Sequence, residues 1–221
     1  MRFAATYQAV SAGADVGGDF YDVVAIEDGR WLAAIGDVCG KGPRAASRTS
    51  LVRDVLRLLV RQGQPLADAV GLLHEMMMEA RDPEQFATAA VALLTRSDGS
   101  ELGVELVLAG HEQPALVRAD GSVELVGRHG SAVGLVDTFE VHATHHVLGV
   151  GDTLVFYTDG ITERRRGGEQ FGQERLMDIL TKGAGGTLEQ MIAGLLRAVR
   201  DFSPKPYQDD IAIMGVRVPD R

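Results

Sequence analysis

Short apolar runs, each cut by Gly, Asp or Pro, alternate along the chain with longer segments whose apolar residues recur at helical spacing. The short runs predict strands at 7–10, 20–26, 31–37, 87–94, 102–109, 115–119, 122–126, 139–148, 153–158 and 211–218, since they are β-branched, apolar and bounded by turn residues. Several of them, such as WLAAIG, ELVLAG and TLVFYT, are apolar without alternation. That pattern belongs to strands covered on both faces. Helical spacing predicts helices over 43–61, 65–80, 173–180 and 188–202. In the first, Leu51, Val55, Leu58 and Leu59 form the apolar stripe, and Gly63 ends the segment. In the second, Ala69, Leu72, Leu73 and Met76 share a side. Thr187 with Gln190 three residues on reads as the N-terminal cap of the last helix. Met76, Met77 and Met78 read as core filling. Strands, two helices, strands, two helices and a last strand make an α+β chain. Two stacked, largely antiparallel sheets carry helices outside.

Size and charge narrow this picture. The 221 residues suit one large domain, and the whole chain, 1–221, is read as one. A formal net charge of −9 argues against a nucleic-acid binder, which needs a basic face. No segment is long and apolar enough to enter a membrane as a spanning helix. The N-terminus lacks the apolar core of a signal peptide. A single cysteine, Cys39, leaves no internal disulfide framework. Together these point to a cytoplasmic protein.

The chemistry lies in carboxylates at strand ends. GGDFYD (17–22), GDVCGKG (36–42), YTDG (157–160) and QDD (208–210) each place Asp at the border of an apolar run. If Asp28-Gly29 is a two-residue hairpin loop, residue 27 faces residue 30 and Phe20 faces Asp37. Asp19 then stands one step from Asp37, roughly 5–8 Å away. Asp159 ends one strand, and Asp209 and Asp210 begin another. Antiparallel pairing can bring all of them to one sheet edge. Converging carboxylates bind protons or cations. Oxygen donors without a Cys or His cluster favour hard ions, Mg²⁺ or Mn²⁺. Two such ions sharing a carboxylate can activate water for attack on a phosphoryl group.

VGGDFYDV, IGDVCGKGPRAA, FATAAVALL, LAGHEQPAL, GSAVGL, FYTDGITE and QDDIAI together resemble the SpoIIE/RsbU-like branch of the PPM (PP2C-type) metal-dependent Ser/Thr phosphatases. The resemblance runs from about residue 7 to residue 218. It implies an αββα sandwich with a binuclear Mn²⁺ or Mg²⁺ centre at the sheet edge. By motif, Asp19, Asp37 and Asp159 are metal-site acids. Asp37 bridges, and the carbonyl of Val38 completes one shell. Asp209 aligns with the last metal Asp, with Asp210 beside it as the alternative ligand. Asp37 and Asp19 act in catalysis through metal-bound water. Asp22 is expected to bond within the hairpin, and Glu163 to face solvent or support the ligands from behind.

The sequence departs from the wider family at one point. Eukaryotic PP2C enzymes carry His two residues after the bridging Asp; here Cys39 stands there, as other residues commonly do in bacterial relatives. The proton donor is therefore unassigned. His111, in LAGH where the branch usually reads NAGH, is expected to position a loop. Lys41 and Arg44 follow the metal loop near a helix start, where cations and backbone amides both favour phosphate. His142, His145 and His146 read as an exposed edge-strand face, and Arg164, Arg165 and Arg166 as a solvated run.

The resemblance implies a protein Ser/Thr phosphatase. Its substrate would be a phosphorylated STAS-domain anti-anti-sigma factor in a bacterial partner-switching pathway. A homodimer is compatible with it. The competing readings are a non-catalytic or partner-gated binding module, a small-molecule phosphohydrolase and a purely structural cation-binding domain.

Overall fold

The structure is a computed structural model that describes residues 1–10, 18–27, 29–79, 86–96 and 100–219. Two five-stranded sheets carry the chain. One runs β2 (Asp19–Glu27), β3 (Arg30–Val38), β4 (Ala87–Arg96), β5 (Leu102–Ala109) and β8 (Ala143–Leu148). The other runs β1 (Arg2–Gln8), β12 (Ile211–Arg217), β9 (Thr153–Tyr157), β6 (Ala115–Val117) and β7 (Val123–Leu125). Every ladder is antiparallel. Helices α1 (Pro43–Arg61) and α2 (Leu66–Glu79) cover the first sheet. Helices α4 (Gly172–Gly183) and α5 (Leu188–Phe202) cover the second. A one-turn helix α3 (Asp159–Thr162) and a ribbon of β10 (Arg165–Arg166) with β11 (Glu169–Gln170) complete the described elements.

Three apolar layers explain why several strands lack alternation. On β3, Leu32 and Ala34 face α1 and α2, while Ala33 and Ile35 face the other sheet. Leu106, Leu108, Leu116, Phe156 and Met214 fill the space between the sheets, all fully buried. Each such side chain contributes about 1.5–3 kcal/mol of transfer free energy. The third layer sets Tyr157, Ile211 and Ile213 against Leu195 and Val199 of α5. The layering is αββα, as expected.

Several expectations shift. The first strand is Arg2–Gln8 rather than 7–10. It is held by pairing with β12, a partner local sequence cannot announce. The strand expected at 139–148 forms only over Ala143–Leu148. The buried stripe of α1 is Ala45, Val52, Leu56 and Val60, so Leu51 and Leu58 face outward. In α2 the buried residues include Ala69, Val70, Leu73, His74 and Met77, leaving Leu72 and Met76 exposed. Of the methionine run, only Met77 is core. The capping box of Thr187 and Gln190 is present as expected. Asp28, half of the expected hairpin loop, and the Asp98-Gly99 turn lie outside the described residues.

Candidate metal centre

The register at the acidic edge is tighter than the simple hairpin predicts. Glu27 pairs with Arg30, as a two-residue loop demands, but a bulge at Ile26 offsets the rest by one. Asp19 therefore lies directly across from Asp37, and Phe20 faces Gly36. Both acids share the strand face of Ala33 and Ile35, which looks into the space between the sheets. They sit at the rim of the inter-sheet core rather than on an outer surface.

The opposite sheet closes on them through Thr158. Its hydroxyl donates to Asp19 Oδ2 at 2.7 Å and accepts from the Ala212 amide at 3.0 Å. One buried side chain thus ties β2, β9 and β12 together. Sequence reading passed over it, although Thr before YTDG's acid was visible. Asp159 is not the last residue of β9 but the first of α3, where helix amides favour negative charge. Asp209 is exposed just before β12, whereas Asp210 is buried. Asp210 accepts hydrogen bonds from Tyr7 Oη at 2.9 Å and the Val10 amide at 2.8 Å. Those bonds anchor the end of β1 and occupy both carboxylate oxygens. The geometry therefore distinguishes the pair. Asp209 is exposed, accepts from the Asp210 amide at 2.9 Å through Oδ1 and acts electrostatically on Asp37 and Asp159, whereas both oxygens of Asp210 are engaged by Tyr7 and Val10.

The convergence has an electrostatic consequence. Burial, with the charges of Asp37, Asp159 and Asp210, pushes the Asp19 carboxyl up to about 8 against the Thr158 hydrogen bond. Asp37 is pushed up to about 6 by burial, then Asp159, Asp209 and Asp210, with Lys41 opposing. Burial and Asp209 raise Asp159 as well. The donor set is oxygen only, which fits a hard divalent cation. Among the described residues, no three His, Cys, Asp or Glu side chains are drawn together as a ready-made cage. Carboxylates gathered at one edge repel one another, and a cation of double charge would relieve that repulsion.

Backbone proximity also fits. Val38 N–H donates to the Gly18 carbonyl at 3.1 Å. A Cβ on Gly18 would lie 2.1 Å from the Val38 carbonyl oxygen and 2.2 Å from Asp37 Oδ1. Only glycine leaves that carbonyl and that carboxylate accessible side by side. A Cβ on Gly160 would likewise lie 2.0 Å from the Asp210 carbonyl oxygen.

The cleft beside the acids holds about 200 Å³ and is lined by Asp37, Thr88, Gly110, His111, Glu112, His129 and Asp159. Among the described residues, no large apolar side chain lines it. His111 is buried, its Nδ1 2.9 Å from Thr88 Oγ1. Burial holds its imidazolium form down to about 4. Nε2 is buried without a hydrogen-bond partner among the described residues, and the Tyr157 backbone opposes part of that lowering. His111 is therefore a neutral loop-positioning residue, as its motif suggested. Lys41 and Arg44 are exposed at the α1 entrance, beside Gly42 and Pro43, where no side chain caps the helix amides. Cys39 is half-buried, and its amide donates to the Phe86 carbonyl at 2.9 Å.

Three sequence readings are corrected. Asp22 does not bond within the hairpin. It points to the α1 face and takes a forked pair of bonds from Arg57, Nε at 2.7 Å. Arg164 is not solvated but buried, donating to the carbonyls of Ser203 at 3.0 Å, Pro206 at 2.7 Å and also Lys205. Its guanidinium lies 4.7 Å from the centre of the Tyr207 ring. It thereby fixes the loop that leads to Asp209. His142 precedes β8 rather than sharing its face, while His145 is exposed on it and His146 half-buried. Glu163 is exposed beside Arg165, Gln208 and Asp209.

This αββα fold is that of PPM (PP2C-type) protein phosphatase domains. The RsbU and RsbW domains of Rv1364c from Mycobacterium tuberculosis superpose with a TM-score of 0.81 at 28% identity, over 100% of this chain and 62% of that one. The PP2C phosphatase domain of SpoIIE from Bacillus subtilis superposes at 0.80 with 19% identity, over 98% and 63%. The chain belongs to the SpoIIE family (Stage II sporulation protein E), whose model matches residues 27–219. Among curated relatives, protein IcfG of Synechocystis sp. is 29% identical over 75% of this chain. The chain spans only 30% of that protein.

Proposed function

We propose that residues 1–221 form one phosphatase domain that hydrolyses phosphoserine and phosphothreonine on a protein, with Mn²⁺ or Mg²⁺ ions as cofactor. One observation carries this reading. Asp19, Asp37 and Asp159, from distant parts of the chain, meet at one edge of the inter-sheet space, where burial and neighbouring carboxylates raise the pKa of each. Asp19, Asp37, Asp159 and Asp209, with the Val38 carbonyl, would hold two ions, and Asp37 would be shared. Asp210 instead anchors β1. When bound, such ions supply an activated water and offset charge on the phosphoryl oxygens. Thr158 fixes the Asp19 carboxylate in orientation. Lys41, Arg44 and the free amides at the start of α1 orient the substrate phosphate. A cleft with no large apolar side chain among its described lining residues suits a protein surface better than a small apolar substrate.

The partner-switching relatives favour a phosphorylated STAS-domain anti-anti-sigma factor as substrate, in the cytoplasm. No helix among the described residues is long and apolar enough to cross a membrane. The test is hydrolysis of an aryl phosphate with and without Mn²⁺, by wild type, Asp37→Asn and Asp159→Asn. Mn²⁺-dependent turnover lost in both folded variants supports the reading. Mn²⁺-independent turnover, or turnover surviving in both, sinks it. Release of phosphate from a phosphorylated STAS protein, faster than from an unrelated phosphopeptide, tests the substrate.

A further inference from the structure

Cleavage of a phosphoserine ester forms a serine alkoxide, a poor leaving group unless it is protonated as the P–O bond breaks. Among the described residues, the cleft offers few candidates for that proton. Cys39 lies on the loop after Asp37 and does not line it. Asp37 and Asp159 belong to the cation site. His111 is buried with Nδ1 taken by Thr88. Glu112 accepts a hydrogen bond from Gln173 Nε2 at 3.1 Å. His129 remains, exposed and on the cleft wall.

Its loop is held on both sides. Gln113 Nε2 donates to the Gly127 carbonyl at 2.9 Å, and Gly110 N–H donates to the Gly130 carbonyl at 3.0 Å. Gly110 has φ 67°, and a Cβ there would come within 2.7 Å of Ala132. The His111 loop and the His129 loop are therefore locked against each other. His129 is presented beside Asp37 and Asp159 by backbone geometry rather than by a mobile tether.

We propose that His129 protonates the leaving seryl or threonyl oxygen. This rests on the phosphatase reading. Water oxygen bonds to phosphorus and the P–O(Ser) bond breaks. The bonding pair stays on the seryl oxygen, which takes the imidazolium proton. The proton lost by the attacking water passes to solvent, from which the imidazole recovers one. The groups facing His129 are Asp37 from β3, Asp159 from α3, and His111 and Glu112 from the loop after β5. Arg128 adjoins it on its own loop.

The leaving group decides the matter. A nitrophenolate departs without a proton, whereas a serine alkoxide needs one. With Mn²⁺ present, kcat/KM is measured for a phosphoserine peptide and for p-nitrophenyl phosphate, with wild type, His129→Gln and the exposed control His145→Gln. The peptide-to-aryl ratio is expected to fall about 100-fold in His129→Gln and to hold in His145→Gln. Across aryl phosphates of rising phenol pKa, His129→Gln should show the steeper decline in rate. An unchanged ratio and equal slopes overturn the assignment while leaving the phosphatase reading intact. Wild type inactive on both substrates would instead remove the phosphatase reading, and this one with it.

Discussion

Removing divalent cations should turn alkaline pH into a destabiliser of this fold. An unfolded chain ionises Asp19 near pH 4. The native chain keeps that proton to about pH 8, because burial and neighbouring carboxylates oppose the charge. Between those values the native state binds more protons than the unfolded state. Its stability therefore falls as pH rises, by up to about 1.4 kcal/mol per unit. From pH 5.5 to 8.5 Asp19 alone costs about 3 kcal/mol, roughly 6–12 °C in melting temperature for a chain of this length. Asp37, pushed up to about 6, adds a smaller loss low in the same window. The two do not sum, since neutralising one relieves the other. The assay is a thermal melt in chelator at both pH values, for wild type and Asp19→Asn. Asp19→Asn should flatten the slope and melt above wild type at pH 8.5, although it weakens the cation site. Mn²⁺ should restore wild type at pH 8.5. A wild type equally stable at both pH values, or a variant that tracks it, would refute the repulsion on which the metal centre rests.

Three other substitutions test separate parts of the scaffold. Gly18→Ala forces a methyl group to within 2.1 Å of the Val38 carbonyl oxygen unless something moves. Titration calorimetry should show Mn²⁺ affinity at least ~10-fold weaker, comparable with loss of a supporting partner at a metal site, with circular dichroism unchanged. Arg164→Met strips the donors from the 203–206 carbonyls and should lower urea stability by about 3 kcal/mol, with turnover falling because Asp209 follows that loop. Arg57→Ala leaves the Asp22 side chain, 11% exposed, without its ionic partner. It should cost about 1–3 kcal/mol, and much of that should return in Arg57→Ala with Asp22→Asn.

What could be read in advance was what strand periodicity and motif spacing carry. The unalternating runs at β3, β5 and β9 announced strands buried on both faces, and layering followed. The acids were legible because strand ends border Gly and Asp. The offset at Ile26 was not, since a bulge leaves the apolar alternation of Val24 and Ile26 toward α1 unbroken. Nor was β1, whose strand character comes from β12. The helix faces of α1 and α2 were rotated because leucine is as common beside the buried stripe as within it. Thr158 and Arg164 were missed because a hydroxyl and a guanidinium earn their roles only from partners far along the chain. His129 stands just before the GSAVGL motif in an exposed loop and is not part of it, so it gave no signal.

The pairing of β1 with β12 sets a timetable for folding. β1 cannot pair until β12, which follows every other described strand, has been made. The layer of β2 to β8 with α1 and α2 draws on residues 19–148 and can close earlier. The acidic rim comes into being only when the second sheet docks, since Thr158 and Asp209 arrive with it. Late assembly of this kind is slow, because long loops must close before their contacts reward them. Cation affinity during refolding is therefore a clock for the final step: no intermediate in which the sheet of β9 and β12 is undocked can present all four carboxylates together.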